Sequence, residues 1–259
     1  MAASIRTILT DAAAMRPDQT WLVTPEADKY FSWRQAESRA ESLACYLHGA
    51  GLSDGASVAI AAPNGAAASF AFLGAVYGGF RATPLNLVAG VKTLAFVLSH
   101  SKTEMILCAD DSRSLVDEAL ATLVSAGETP PRVISMDVDD GPRWAETGII
   151  PVESADLREP STNTIGLLMY TSGTTGVPKG VLLSHANLIA AGTNVAVAHK
   201  LTPADTSMCV LPIYHINGLC VTVMGSLVSS GGLVIPRRFS ARHFWTQMHK
   251  FNCSWFSAV

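Results

Sequence analysis

The run AAASFAFLGAVY, from Ala66 to Tyr77, constrains the fold more than any other segment of this chain. Its apolar residues circle a helix instead of lining one stripe, so the helix has to be buried on most of its surface. Pro63, Asn64 and Gly65 turn the chain into it from a strand expected at Ser57 to Ala62. A helix so placed needs cover from other elements, and the rest of the sequence supplies it. Short apolar, β-branched runs alternate with longer helical patterns, which points to strands joined by crossover helices and a largely parallel sheet.

The expected fold class is therefore α/β, with layered, largely parallel sheets and flanking helices. Ser32 and Gln35 form a capping-box pattern ahead of a helix that reaches His48, where Gly49 and Gly51 stop it. Further strands are expected at Glu104 to Cys108, Arg132 to Met136, Ile165 to Tyr170 and Val181 to Leu183. Ser184 and Ser240 are expected to cap helices, the second extending towards Lys250. From Asp137 to Asn163 the chain is rich in Asp, Pro, Gly and Ser and has no sustained period. This divides it into an N-terminal α/β subdomain (1–140), a connector (141–163) and a second α/β subdomain (164–259). Cys253 to Val259 has an apolar, aromatic strand pattern with nothing after it to cover a parallel strand. The expectation is that the natural polypeptide continues beyond Val259.

Composition narrows the function classes. With 49% hydrophobic and 15% charged residues the chain is a globular one, and 18 basic against 21 acidic residues leave no positive field for nucleic acid. Five scattered cysteines (Cys45, Cys108, Cys209, Cys220, Cys253) show no metal-site spacing and read as reduced core residues of a cytosolic protein. The amphipathic start, with Arg6 and Asp11, lacks the apolar stretch of a secretory signal. Leu219 to Ile235 is interrupted by serines and glycines, and reads as a buried helix followed by a strand instead of a membrane span.

The chemistry gathers in YTSGTTGVPKG, Tyr170 to Gly180, which sets four Ser and Thr hydroxyls, three glycines and one lysine between two apolar strands. Gly173 and Gly176 permit backbone conformations closed to other residues and let N–H groups approach a ligand closely. Thr171, Ser172, Thr174 and Thr175 add hydroxyl donors, and Lys179 adds a point charge suited to phosphate. The pattern is not the Walker loop: no glycine precedes Lys179 and no Ser or Thr follows it. A polar turn between two strands is the plain structural alternative.

This loop closely resembles the signature of the adenylate-forming superfamily, which includes acyl- and aryl-CoA synthetases, peptide-synthetase adenylation domains and firefly luciferase. LGAVYGGFRATPLN at Leu73 to Asn86 and LPIYHINGL at Leu211 to Leu219 agree in order and spacing, so the resemblance covers essentially the whole chain as the N-terminal portion of the large domain of such an enzyme. It implies a carboxylic acid:CoA ligase using ATP, Mg2+ and coenzyme A, through an acyl-AMP intermediate. In that reading Thr171, Ser172, Gly173, Thr174, Thr175, Gly176 and Lys179 hold the β- and γ-phosphates, and His215 lines the acyl pocket and places the carboxylate. His215 and Lys179 are the catalytic candidates. Asn217 and Val221 are pocket candidates, with helix capping and core packing as their alternatives. Arg238 is a candidate for nucleotide or CoA phosphates, with a solvated charge as its alternative. No metal ligands are identified. His185 and His199 are expected in ordinary surface or capping roles.

The family's later elements, those for adenine, ribose and the C-terminal lysine, do not occur here. The resemblance thus implies that these 259 residues alone are inactive as a ligase and that the missing C-terminal portion is a partner in catalysis. Transfer to a carrier protein or another acceptor such as oxygen, or nucleotide binding without catalysis, are the alternative functions.

Overall fold

The computed structural model describes residues 3–171 and 178–259. Helix α1 (Ile5–Met15) starts with a capping box between Ser4 and Thr7, and is followed by the hairpin β1 (Thr20–Thr24) and β2 (Lys29–Ser32). Helix α2 (Trp33–Gly49) carries the expected reciprocal capping bonds of Ser32 and Gln35, which satisfy two N–H groups that a helix start otherwise leaves open. Then come β3 (Ser57–Ala61), α3 (Ala66–Tyr77), β4 (Arg81–Pro84), α4 (Val91–His100), β5 (Thr103–Ala109), α5 (Arg113–Ser125), β6 (Arg132–Asp137) and the two-residue β7 (Gly141–Pro142). Two isolated turns of 3₁₀ helix precede β8 (Ile165–Thr171) and β9 (Lys179–Ser184). The last elements are α6 (His185–His199), β10 (Thr206–Met208), a π-helical segment over Asn217–Val223 that runs into α7 (Met224–Ser229), β11 (Gly232–Val234), α8 (Ala241–Lys250) and β12 (Trp255–Phe256).

The strands form two sheets, of order β7-β6-β5-β3-β4-β8-β9 and β12-β10-β11-β1-β2. Pairing is parallel except for the pairs β1–β2, β6–β7 and β8–β9. Side chains alternate across each strand, and that alternation assigns the helices. Val58 and Ile60 of β3 face the main core with α1, α2, α3, α6 and α7, whereas Ala59 and Ala61 face α4 and α5. On the smaller sheet, Leu22 and Leu233 face the main core while Val23, Val234 and Met208 pack under Phe244 of α8. All twelve residues of α3 are buried, because it lies in the layer shared by both sheets.

Both sheets take strands from either side of residues 141–163: β1 and β2 join β10, β11 and β12, while β8 and β9 complete the sheet of β3 to β7. That stretch is packed on α2, with the Val152 N–H donating to the Cys45 carbonyl. The chain end forms less strand than its apolar pattern suggests, since only Trp255 and Phe256 pair with β10. His185 is not a surface residue. It is fully buried, its Nδ1 accepts the Ile5 N–H, and desolvation lowers its pKa to about 4. Among the described residues no helix is long and apolar enough to cross a membrane.

Candidate functional site

β8 and β9 bring the two ends of the glycine- and hydroxyl-rich loop together. Thr171 is the cross-strand partner of Lys179, and both are exposed. Leu167, Leu168 and Met169 bury the root of β8, so the loop springs from an anchored strand. Ser172, Gly173, Thr174, Thr175 and Gly176 lie outside the described residues. At the loop's entrance the Tyr170 hydroxyl is 2.8 Å from His100 Nδ1 at the end of α4. Phe96, one turn earlier, stacks on that histidine at 5.4 Å. Partial burial raises the Tyr170 pKa, so its phenol is neutral at ordinary pH.

Three sequence segments that lie far apart converge beside this hairpin. A cavity of about 250 Å³ is lined by Pro84, Leu85 and Asn86 at the carboxyl end of β4, by Tyr170, Thr171 and Pro178 at the ends of the loop, and by Tyr214. Leu94 and Val97 of α4 give it an apolar wall. Its position outside the carboxyl ends of parallel strands is where open α/β sheets hold ligands, because helix starts and irregular backbone leave N–H groups available there. Sequence reasoning marked the segment through Asn86 as a motif but missed Pro84, Leu85, Asn86 and Tyr214 as lining residues. The motif itself was the signal that pointed to them.

His215 is exposed and its ring lies 4.7 Å from that of Tyr214, centroid to centroid. The turn it occupies is tight: Gly218 lies against the Leu211 and Pro212 carbonyls, where a Cβ would overlap them. The chain then enters the π-helical turn, a rare widening that is frequent at functional sites. Asn217 starts this turn with its Oδ1 buried and without a hydrogen-bond partner among the described residues, so it is not a helix cap there. Val221 is half-buried on the same turn. Arg238 is exposed beyond β11, while its neighbour Arg237 is occupied by Asp139 at 2.6 Å. The cavity lining contains Thr171 but not His215, Asn217, Val221, Lys179 or Arg238.

No group of three His, Cys, Asp or Glu side chains among the described residues is arranged to hold a metal ion. The cysteines are free, and burial pushes the Cys209 and Cys220 thiols up to about 12, so neither is a nucleophile at neutral pH.

The sequence pattern of AMP-binding enzymes matches residues 9–259. The chain is 36% identical over 257 residues to the sulfoacetate–CoA ligase of Cupriavidus necator, which covers 99% of this chain and 49% of that protein. It is 32% identical over 221 residues to the oxalate–CoA ligase of Arabidopsis thaliana, covering 81% of this chain and 41% of the relative. The chain thus spans about half the length of the curated relatives it matches. Its fold superposes on the inhibitor-bound N-terminal domain of FACL13 from Mycobacterium tuberculosis with a TM-score of 0.83 and 25% identity, covering 100% of this chain and 63% of that one.

Proposed function

Since this chain belongs to the AMP-binding enzyme family, we propose that it is the N-terminal part of an ATP-dependent carboxylic acid:CoA ligase. The observation that carries this reading is the convergence of the β4 end, the ends of the loop and Tyr214, the neighbour of His215, on one cavity. A carboxylate oxygen forms a bond to the α-phosphorus of ATP, and the bond to the pyrophosphate oxygen breaks. The CoA thiol then takes the acyl carbon, AMP leaves, and the thiol proton passes to solvent.

Each residue has a task in that sequence. Thr171, Ser172, Gly173, Thr174, Thr175 and Gly176 bind the β- and γ-phosphates through hydroxyl and backbone donors. Lys179, fixed opposite Thr171 at the loop's exit, offsets the charge that gathers on departing pyrophosphate. His215 places the carboxylate, Asn217 and Val221 bound the acyl pocket, and Arg238 meets a nucleotide or CoA phosphate. Mg2+ is proposed only as the companion of the ATP phosphates, because the described residues gather no ligand set for it.

The relatives' acids, sulfoacetate and oxalate, each carry a second acidic group near the reacting carboxylate, which supports a small acid of that kind as substrate. Buried free thiols fit a reducing cytoplasm. The test is acid-dependent exchange of pyrophosphate into ATP by the protein expressed from its complete reading frame, with sulfoacetate, oxalate, acetate and octanoate. Exchange with the first two, reduced about 100-fold by Lys179→Ala, is expected. Absence of exchange with every acid overturns the reading. Offering CoA and a pantetheinylated carrier protein in parallel identifies the acceptor.

A further inference from the structure

We propose that Asn64 is a positioning residue for the turn that carries Tyr214 and His215, acting on the acid step without touching the acid itself. The proposal rests on the ligase reading for its kinetic consequence, while its structural consequence stands apart from it. Asn64 lies in the Pro63-Asn64-Gly65 turn, between the carboxyl end of β3 and the buried helix α3. It is 8% exposed. Its Nδ2 donates to the Leu211 carbonyl at 3.0 Å, and its Oδ1 accepts the Ile213 N–H at 2.9 Å. One side chain thus pairs with a distant turn through both a donor and an acceptor. At neutral pH, where a carboxylate only accepts, a carboxamide is the side chain that offers both groups side by side in one plane.

Packing also holds this segment, through Leu211 against the cluster under Phe244 and Gly218 against its carbonyls, but few other hydrogen bonds reach it. The Cys209 thiol, two residues upstream, also donates to the Leu211 carbonyl, and the His215 N–H closes the turn onto Pro212. Among the described residues, no hydrogen bond from another element reaches 211–214 except those of Asn64. Ile213 adds one buried side chain in the main core. Asn64 therefore ties the His215 turn, which follows the smaller sheet, to the centre of the larger one. It does so at the carboxyl ends of the strands where the cavity opens. Removing the carboxamide leaves the buried Ile213 N–H without its acceptor and the partly buried Leu211 carbonyl with the Cys209 thiol alone, and the Ile213 N–H can be paired again only by moving towards water. Tyr214 and His215, one and two residues beyond the anchor, move with it.

The experiment compares wild type, Asn64→Ala and Asn64→Asp in the protein from its complete reading frame, each with and without His215→Ala. The aspartate variant keeps the size and the acceptor and lacks the donor, so it serves where the alanine variant fails to fold. We expect the acid KM to rise about 10-fold or more, with the ATP KM within about 2-fold, as follows when a buried pair is lost at one subsite only. In the His215→Ala background the same substitution should change kcat/KM for the acid less than about 2-fold, because its effect passes through the turn. Equal rises in both KM values, or fully multiplicative losses with His215→Ala, overturn the proposal. Amide exchange is measured in parallel and should be about 10-fold faster at Ile213 in the variants. Unchanged protection there overturns the anchor, even in a protein that activates none of the acids, a result that would sink the ligase reading separately.

Discussion

Helix α3 and strand β9 are opposite solutions to placing apolar residues. All twelve residues of α3 are buried between the two sheets, and five of them are alanines, with Gly74 where a Cβ would overlap Leu43 of α2. On β9, at the edge of the larger sheet, Val181 is 44% and Leu182 is 52% exposed. The comparison teaches where the protein keeps its rigidity. Elements behind the cavity are packed on every side, so small volume changes there are felt throughout. The hairpin that presents Lys179 is rooted through β8 and through Leu183 against the main core, which leaves Lys179, Val181 and Leu182 exposed and less tightly packed than α3.

Three measurements put that contrast at risk. The largest effect is expected on α3: Phe72, with no exposed surface, loses a whole ring in Phe72→Ala, and stability should fall by about 3–5 kcal/mol in urea unfolding. A loss under about 1 kcal/mol would mean that α3 is not held as tightly as its burial implies.

The second concerns His185, the first residue of α6, whose buried ring ties that helix to the start of α1. Desolvation holds its pKa at about 4, below the ordinary value of 6.5. Between those values the unfolded chain binds more protons than the folded one, so stability is fully present above about pH 6.5 and drains away as pH falls towards 4. The drop attributable to this residue is at most about 3 kcal/mol, and His185→Gln should flatten it. An equal pH dependence in the variant would assign the acid sensitivity elsewhere.

The smallest effect is expected on β9, where Val181→Thr with Leu182→Thr should shift stability by under about 0.5 kcal/mol. A larger loss would show that this edge is covered in solution.

Much of the local structure was legible from residues alone because local physics governs it. Ser32 with Gln35, Ser184 ahead of α6, and the run Ala66 to Tyr77 all announce their elements through capping bonds or periodicity that need only neighbouring residues. The short strands β1, β2 and β4 escaped, since four or five residues carry too little pattern and exist through their pairing partners. His185 looked unremarkable for a related reason: burial is a property of what arrives from elsewhere, here α1 from the far end of the chain. Of the site, the loop and the His215 segment were visible as motifs, whereas Asn64 read only as part of a turn.

The order of residues by itself determined an α/β chain with one wholly buried helix, a glycine- and hydroxyl-rich loop between two strands, and five cysteines without metal-site spacing. These follow from side-chain periodicity, glycine's backbone freedom and charge, all readable within a few residues. Tertiary structure decided which strands share a sheet, that three separate segments meet at one cavity, and that Asn64 grips a turn 147 residues further on. Such pairings depend on complementary surfaces closing across long stretches of chain, and no local pattern records which surface will find which.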